Sequence, residues 1–195
     1  MSDAFHTLIN EMRNCQVCKA HLAHEPRPVF QISPKATILI AGQAPGIAVH
    51  KSGIPFDDPS GERLRLWMGV SREVFYDASK IAILPMGLCY PGKGRSGDLP
   101  PRTECAPLWR QRALNSMPRI ELTLLIGKYA IDWHLDSSKK RNLTEMVKAW
   151  RSCPAEIIPL PHPSPRNNIW LKKNPWFETE ILPVVQAKVK KLLKQ

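Results

Sequence analysis

"KATILIAGQAPG", residues 35–46, decides the fold. Its first eight residues, KATILIAG (35–42), are a continuous apolar run with β-branched side chains that ends at glycine. Unbroken rather than alternating hydrophobicity marks a strand covered on both faces, as in a parallel sheet. KIAILPMGL (80–88), IELTLLIGK (120–128) and AEIIPL (155–160) repeat the pattern. Helical patterns lie between them: SGERLRLWMGV (60–70), CAPLWRQRALNSM (105–117) and NLTEMVKAW (142–150). The first opens on Ser60 as an N-cap candidate, with Glu62 in its first turn. Buried strands alternating with helices predict an α/β protein. The expected form is a three-layer αβα sandwich with a central, mostly parallel four-stranded sheet, folded as one domain over residues 1–195. Ligands of such sheets bind beyond the carboxyl ends of the strands. GQAPG (42–46) follows the first strand and HPSPRNN (162–168) the last, so the two loops should face each other across one cleft.

Composition narrows the function classes. At 43% hydrophobic the chain is neither disordered nor fibrous, and no apolar run is long enough to span a bilayer. The N-terminal MSDAFHTLINEM lacks a basic stretch followed by an apolar core, so a cytoplasmic protein with no membrane partner is expected, monomeric by default. The 28 Lys and Arg outweigh 17 Asp and Glu, and the resulting +11 favours a polyanionic partner, nucleic acid first. Part of the excess lies in KVKKLLK at the C-terminus. There Ile181, Val185, Val189 and Leu193 recur at helical spacing and predict an amphipathic helix docked on the body. Tryptophans 67, 109, 133, 150, 170 and 176 are scattered and read as mostly core.

The last loop is stiff. PLPHPSPRNN (159–168) carries four prolines, each fixing φ and removing a donor, around His162, Ser164 and Arg166. In the first loop, Gly42 and Gly46 allow a ligand close to the backbone, and Phe56 further on offers a flat ring. Cys15, Cys18, Cys89 and Cys105 are spaced CxxC and C-x15-C; in a reducing compartment that pattern suggests a metal site. Thiolates suit an iron–sulfur cluster or zinc, and the spacing alone leaves both open. Cys153 matches neither pair and reads as structural.

Together these residues resemble the uracil-DNA glycosylase superfamily. GQAPG resembles its first motif, Gly53-Ile54-Pro55-Phe56 the Gly-x-Pro-Phe segment that follows, and HPSPRN its second motif in the form found in single-strand-selective uracil glycosylases. The cysteine spacing is similar to that of the family 4 enzymes, which implies a [4Fe–4S] cluster on Cys15, Cys18, Cys89 and Cys105, with structural zinc as the alternative. The resemblance implies a DNA repair hydrolase of base excision repair. It would act on DNA containing a damaged base and hydrolyse the N-glycosidic bond of uracil, hypoxanthine or xanthine without lyase activity. His162 would stabilise the departing base and Gln43 orient the water; Gly42, Ala44, Pro45, Gly46 and Phe56 would hold the base; Ser164, Pro165, Arg166 and Asn167 would contact DNA.

Three departures matter. Gln43 stands where family 4 usually has glutamate, and an amide cannot take a proton from water. Val49 and His50 replace an acidic pair, and Pro85 stands at the position of a base-reading asparagine. Asp57, Asp58, Glu62 and His50 are candidate substitutes for the missing acid; the alternative reads Asp57 and Asp58 as turn residues, Glu62 as a first-turn helix acid and His50 as a polar loop residue. The loop GLCYPGKGRSGDLPPRTEC (87–105), with Lys93, Arg95 and Arg102, reads as both a cysteine loop and a phosphate-contacting surface. Gln43 and Pro85 also support a rival reading, a catalytically inactive DNA- or damage-binding protein of the same fold. A hydrolase of free nucleosides is a third, less natural at +11.

Overall fold

In the computed structural model residues 3–135 and 142–194 are described. The expected domain of 1–195 extends beyond them at residues 1, 2, 136–141 and 195, which lie outside the described residues. The strands are β1 (Ile38–Ala41), β2 (Ile81–Ile83), β3 (Lys93–Gly94), β4 (Gly97–Asp98), β5 (Leu122–Ile126) and β6 (Ile157–Leu160). The helices are α1 (Asp3–Arg13), α2 (Ile47–Ser52), α3 (Pro59–Met68), α4 (Arg72–Phe75), α5 (Cys105–Asn115), α6 (Lys128–His134), α7 (Leu143–Lys148), α8 (Asn168–Lys173) and α9 (Leu182–Leu193).

Each apolar run supplies one strand of a four-stranded sheet in the order β2-β1-β5-β6, and every pairing is parallel. Covering both faces requires the side chains of one strand to serve two cores. Ile38 and Ile40 of β1 pack with Leu64, Trp67 and Met68 of α3 and with Val185 and Val189 of α9. Leu39, between them, joins Phe5, Leu8 and Met12 of α1 and Trp109 and Ala113 of α5 on the opposite face. Each such fully buried aliphatic side chain contributes about 1.5–3 kcal/mol. Two helical layers around one sheet make the three-layer sandwich.

Several details differ from the pattern. The N-cap of α3 is Asp58, which accepts from Gly61 N–H at 2.9 Å with Pro59 in the first turn; Ser60 lies inside the helix and is buried. The short helix α2 was not foreseen, because its stop is tertiary. Gly53 closes it at φ 75°, and Arg27, 23 residues earlier, donates to the carbonyls of His50 and Lys51 at 2.8 Å each. The antiparallel hairpin β3–β4 also escaped notice, since two-residue strands of Lys-Gly and Gly-Asp carry no hydrophobic period. Trp133 is 46% exposed, unlike Trp67 and Trp109 in the core. Lys188 of α9 donates to the Ala155 carbonyl at 2.8 Å. No helix among the described residues is long and apolar enough to cross a membrane.

Phe56 adopts φ 55°, a left-handed conformation held from outside. A Cβ on Gly61 of α3 would lie 1.8 Å from the Phe56 carbonyl oxygen, so only glycine lets the helix approach this turn. Gly61→Ala is therefore expected to cost about 1–3 kcal/mol. That corresponds to a fall of roughly 2–12 °C in Tm for a chain of this size, read by thermal melting.

Candidate active-site cleft and thiol pocket

Strands β1 and β5 are neighbours whose onward connections run to opposite edges of the sheet, a switch point in the topology. The cleft opens there. Gly42, Gln43, Ala44, Pro45 and Gly46 line it from the loop after β1, and His162, Ser164, Arg166 and Asn167 from the loop after β6. The two loops singled out in the sequence thus meet, as expected. Phe56, Pro85 and Asp58 complete the near walls.

The first loop is fixed by backbone bonds. The carbonyls of Gly42 and Gln43 accept from Met86 and Gly87 N–H at 2.9 Å each, which lays the segment after β2 alongside it. A Cβ on Gly42 would sit 3.4 Å from the Phe56 ring and 4.0 Å from Pro85, so these three residues close the cleft floor. The Phe56 ring also stands edge-on to Phe75, 6.3 Å between centroids.

The second loop is built around His162. The Ser164 N–H donates to His162 Nδ1 at 3.2 Å, and the Asn167 amide donates to the His162 carbonyl at 2.7 Å. A nitrogen that accepts carries no proton, so the neutral ring holds its hydrogen on Nε2 and offers it as a donor. Burial lowers the His162 pKa and favours this neutral form, although Asp58 and Asp98 pull the other way. Behind the ring lies Gly127 at φ 82°, whose Cβ would be 3.7 Å from His162 Cβ. From α3, Arg63 donates to the Ser164 carbonyl at 3.1 Å and to Asn168 Oδ1 at 2.8 Å. The Ser164 hydroxyl accepts from Arg166 N–H at 3.3 Å, and Pro165 and Arg166 are exposed at the rim.

The four candidate substitutes for the missing acid fare differently. Asp57 pairs with Arg72 at 2.9 Å and Glu62 with Arg65 at 2.5 Å. Asp58 caps α3. His50 lies against His24 and Tyr90, with ring centroids 5.3 and 6.0 Å away. Burial lowers its pKa, with the charges of His24 and Arg27 acting in the same direction. Sequence reasoning missed the β3–β4 hairpin as a cleft wall, and with it Gly97 and Asp98.

A second pocket is lined by Cys15, Cys18, Cys89 and Cys105 together with Pro26, Pro28 and Arg102. Cys105 Sγ accepts from Leu88 N–H, and Cys15 Sγ from Trp109 Nε1–H, both at 3.3 Å. Burial pushes the Cys89 thiol up to about 11 and the Cys105 thiol up to about 12, so thiolates there call for a cationic partner. Among the described residues no three His, Cys, Asp or Glu side chains are drawn together as a single-ion site. Arg102 turns to this pocket, pairing with Glu104 at 2.5 Å and interacting with Cys18. Cys153 lies apart, its thiol donating to the Ala149 carbonyl.

The superfamily model for uracil DNA glycosylases matches residues 29–186, a span holding both loops and the whole sheet. The chain belongs to the uracil-DNA glycosylase superfamily. It is 25% identical over 171 residues to the type-4 uracil-DNA glycosylase of Sulfurisphaera tokodaii, covering 83% of this chain and 75% of that protein. Superfamily membership makes it a glycosylase-like DNA repair protein, and the likeness to the type-4 enzyme places it near family 4.

One buried cation supports the cleft of this superfamily member from behind. Arg110 of α5 donates to the Leu84 carbonyl at 3.0 Å, and its Nε and Nη2 both reach His134 Nε2, at 2.9 and 2.7 Å. Burial and this guanidinium bring the His134 pKa down to about 4. Between about pH 6.5 and 4 the unfolded chain therefore binds a proton that the folded chain refuses, so stability falls as pH falls. The urea midpoint should drop from about pH 7 to about pH 5, and drop less in His134→Gln, whose amide oxygen accepts from Arg110 without titrating.

Proposed function

We propose that this chain, folded as a single domain, is a monofunctional DNA glycosylase that hydrolyses the N-glycosidic bond of a deaminated base: uracil, hypoxanthine or xanthine. One observation carries the reading: His162 is held neutral by the Ser164 N–H, with Nε2–H as its remaining donor, in a cleft walled by both motif loops. Glycosidic cleavage places positive charge on the sugar and negative charge on the departing base. A preorganised donor at the base oxygen stabilises that negative charge, and losing one such donor costs about 2.7–4 kcal/mol.

The other roles follow from position. Phe56 offers a ring to the extruded base, and Gly42, Ala44, Pro45 and Gly46 leave room for its approach along the backbone. Gln43 orients water. The exposed Pro165 and Arg166 fill or wedge the vacated stack, while Ser164 and Asn167 hold the loop that meets the phosphates. Exposed Lys93, Arg95, Lys172 and Lys173 add cationic charge on the hairpin and α8. The partner is damaged DNA, met in the cytoplasm by a monomer.

The cysteine pocket fits a [4Fe–4S] cluster with Cys15, Cys18, Cys89 and Cys105 as ligands. Four thiolates on one zinc, each about 2.3 Å from it, crowd within roughly 4 Å of one another. Among the described residues the thiols are not drawn together in that way, and the family 4 cysteine spacing favours the cluster. When bound it supplies structure, tying the N-terminal segment to the loop before α5. Anaerobically purified protein should contain iron and acid-labile sulfide in equal amounts. Cys105→Ser should lose both, and zinc in their place would mark a structural zinc protein.

The activity is tested with oligonucleotides holding one uracil, hypoxanthine or xanthine, single-stranded and mispaired, with alkaline cleavage read on a gel. Wild type should release one of these bases, and His162→Ala should do so about 100- to 1000-fold more slowly while still binding DNA. No release from any of them, with binding intact, would instead favour the inactive damage-binding reading.

A further inference from the structure

The acid missing from the first motif has left the cleft without an evident base to take the water's proton. Gln43 cannot, Asp57 and Glu62 are paired with Arg72 and Arg65, His50 lies against His24 and Tyr90 outside the cleft lining, and Asp58, though in the wall, gives one oxygen to the α3 N-terminus. A carboxylate nevertheless reaches the first loop from another element. Asp98, at the end of the β3–β4 hairpin, lines the cleft with Gln43, Gly46 and His162. Its Oδ2 lies 3.5 Å from where a Cβ on Gly46 would be, so it approaches the GQAPG backbone closely. It is exposed and thus open to water. Tyr90 lies beside it, and burial together with the Asp98 carboxylate raises the Tyr90 pKa. The neighbouring Gly97 meets the Arg166 guanidinium: a Cβ there would lie 2.5 Å from Nη1. Asp98 therefore stands between the two motif loops, near enough for its charge to act on His162.

We propose that Asp98 is the general base of the hydrolysis, supplied by the hairpin in place of the first-motif acid. The assignment rests on the glycosylase reading above. As the bond from the sugar C1′ to the base nitrogen breaks, its electron pair leaves with the base, whose oxygen accepts a hydrogen bond from His162 Nε2–H. Water oxygen bonds to C1′, and the water proton passes to an Asp98 carboxylate oxygen. The base anion then takes up a proton from solvent, and Asp98 returns its own to solvent. A carboxylate at this place also lowers the energy of the positive sugar before the water adds.

The test pairs turnover with a probe that needs no turnover. Asp98→Asn and Asp98→Ala are compared with wild type in single-turnover base release. They are also compared in binding to two duplexes, one with a cationic pyrrolidine in place of the deoxyribose and one with neutral tetrahydrofuran. Both variants should melt like wild type, since the side chain is exposed. Base release should fall about 100- to 10,000-fold, and the wild-type preference for the cationic duplex, expected at about 100-fold or more, should vanish. Unchanged release in Asp98→Asn, or slower release with the cationic preference intact, would overturn the assignment. If wild type releases no base yet prefers the cationic duplex through Asp98, the substrate reading fails and the Asp98 site stands. If it neither releases a base nor prefers the cation, both fall.

Discussion

The parallel pairing of β5 with β1 on one side and β6 on the other is the constraint from which the cleft follows. Parallel strands deliver their carboxyl ends to one edge, so loops more than 100 residues apart in sequence arrive side by side. The register does the rest. Ala41 aligns with Leu125, and Ile126 with Leu160, so the two motif loops begin on either side of Gly127. At φ 82° Gly127 holds a backbone conformation that L side chains rarely adopt, and His162 packs against it in ordinary contact. The sheet is also buried on both faces, which fixes its register firmly and removes any freedom to trade one loop for another.

On that frame the loops are set by bonds to rigid neighbours. Met86 and Gly87 hold the first loop from β2, Arg63 holds the second from α3, and Asn167 closes the second on itself. The His162 tautomer is a consequence of proline placement. Pro161 and Pro163 flank the histidine and lack N–H groups, so the first backbone donor beyond it is that of Ser164, and it goes to Nδ1. The stiff loop thus does more than point outward, since it decides which nitrogen carries the proton.

Much of this was legible in the sequence, because a both-faces-buried strand leaves a continuous apolar run and a functional loop after it leaves Gly and Pro. The four strands, both loops and the grouping of Cys15, Cys18, Cys89 and Cys105 were all visible in that way. Asp98 was not. It sits in a glycine-rich hairpin whose pairing has no period, and it reaches the cleft through a tertiary approach to Gly46 that local sequence does not encode. Arg63, Arg110 and Arg27 were equally silent. Each looks like a solvent cation on its helix or loop, and only the fold shows them bound to backbone carbonyls elsewhere. Ser60 misled for the opposite reason: an N-cap residue type stood two positions inside a helix that Asp58 and Pro59 had already begun.

Helix α5 joins the thiol pocket to the back of the cleft. Cys105, its first residue, faces the thiol pocket, and Arg110, little more than one turn later, holds the Leu84 carbonyl at the back of the cleft. One helix therefore borders both compartments, with its first residue at the thiols and its middle against the segment that carries Pro85 into the cleft wall. Loss of order at the thiols would thus loosen the same helix that clamps the Leu84 carbonyl, although the two pockets share no lining residue.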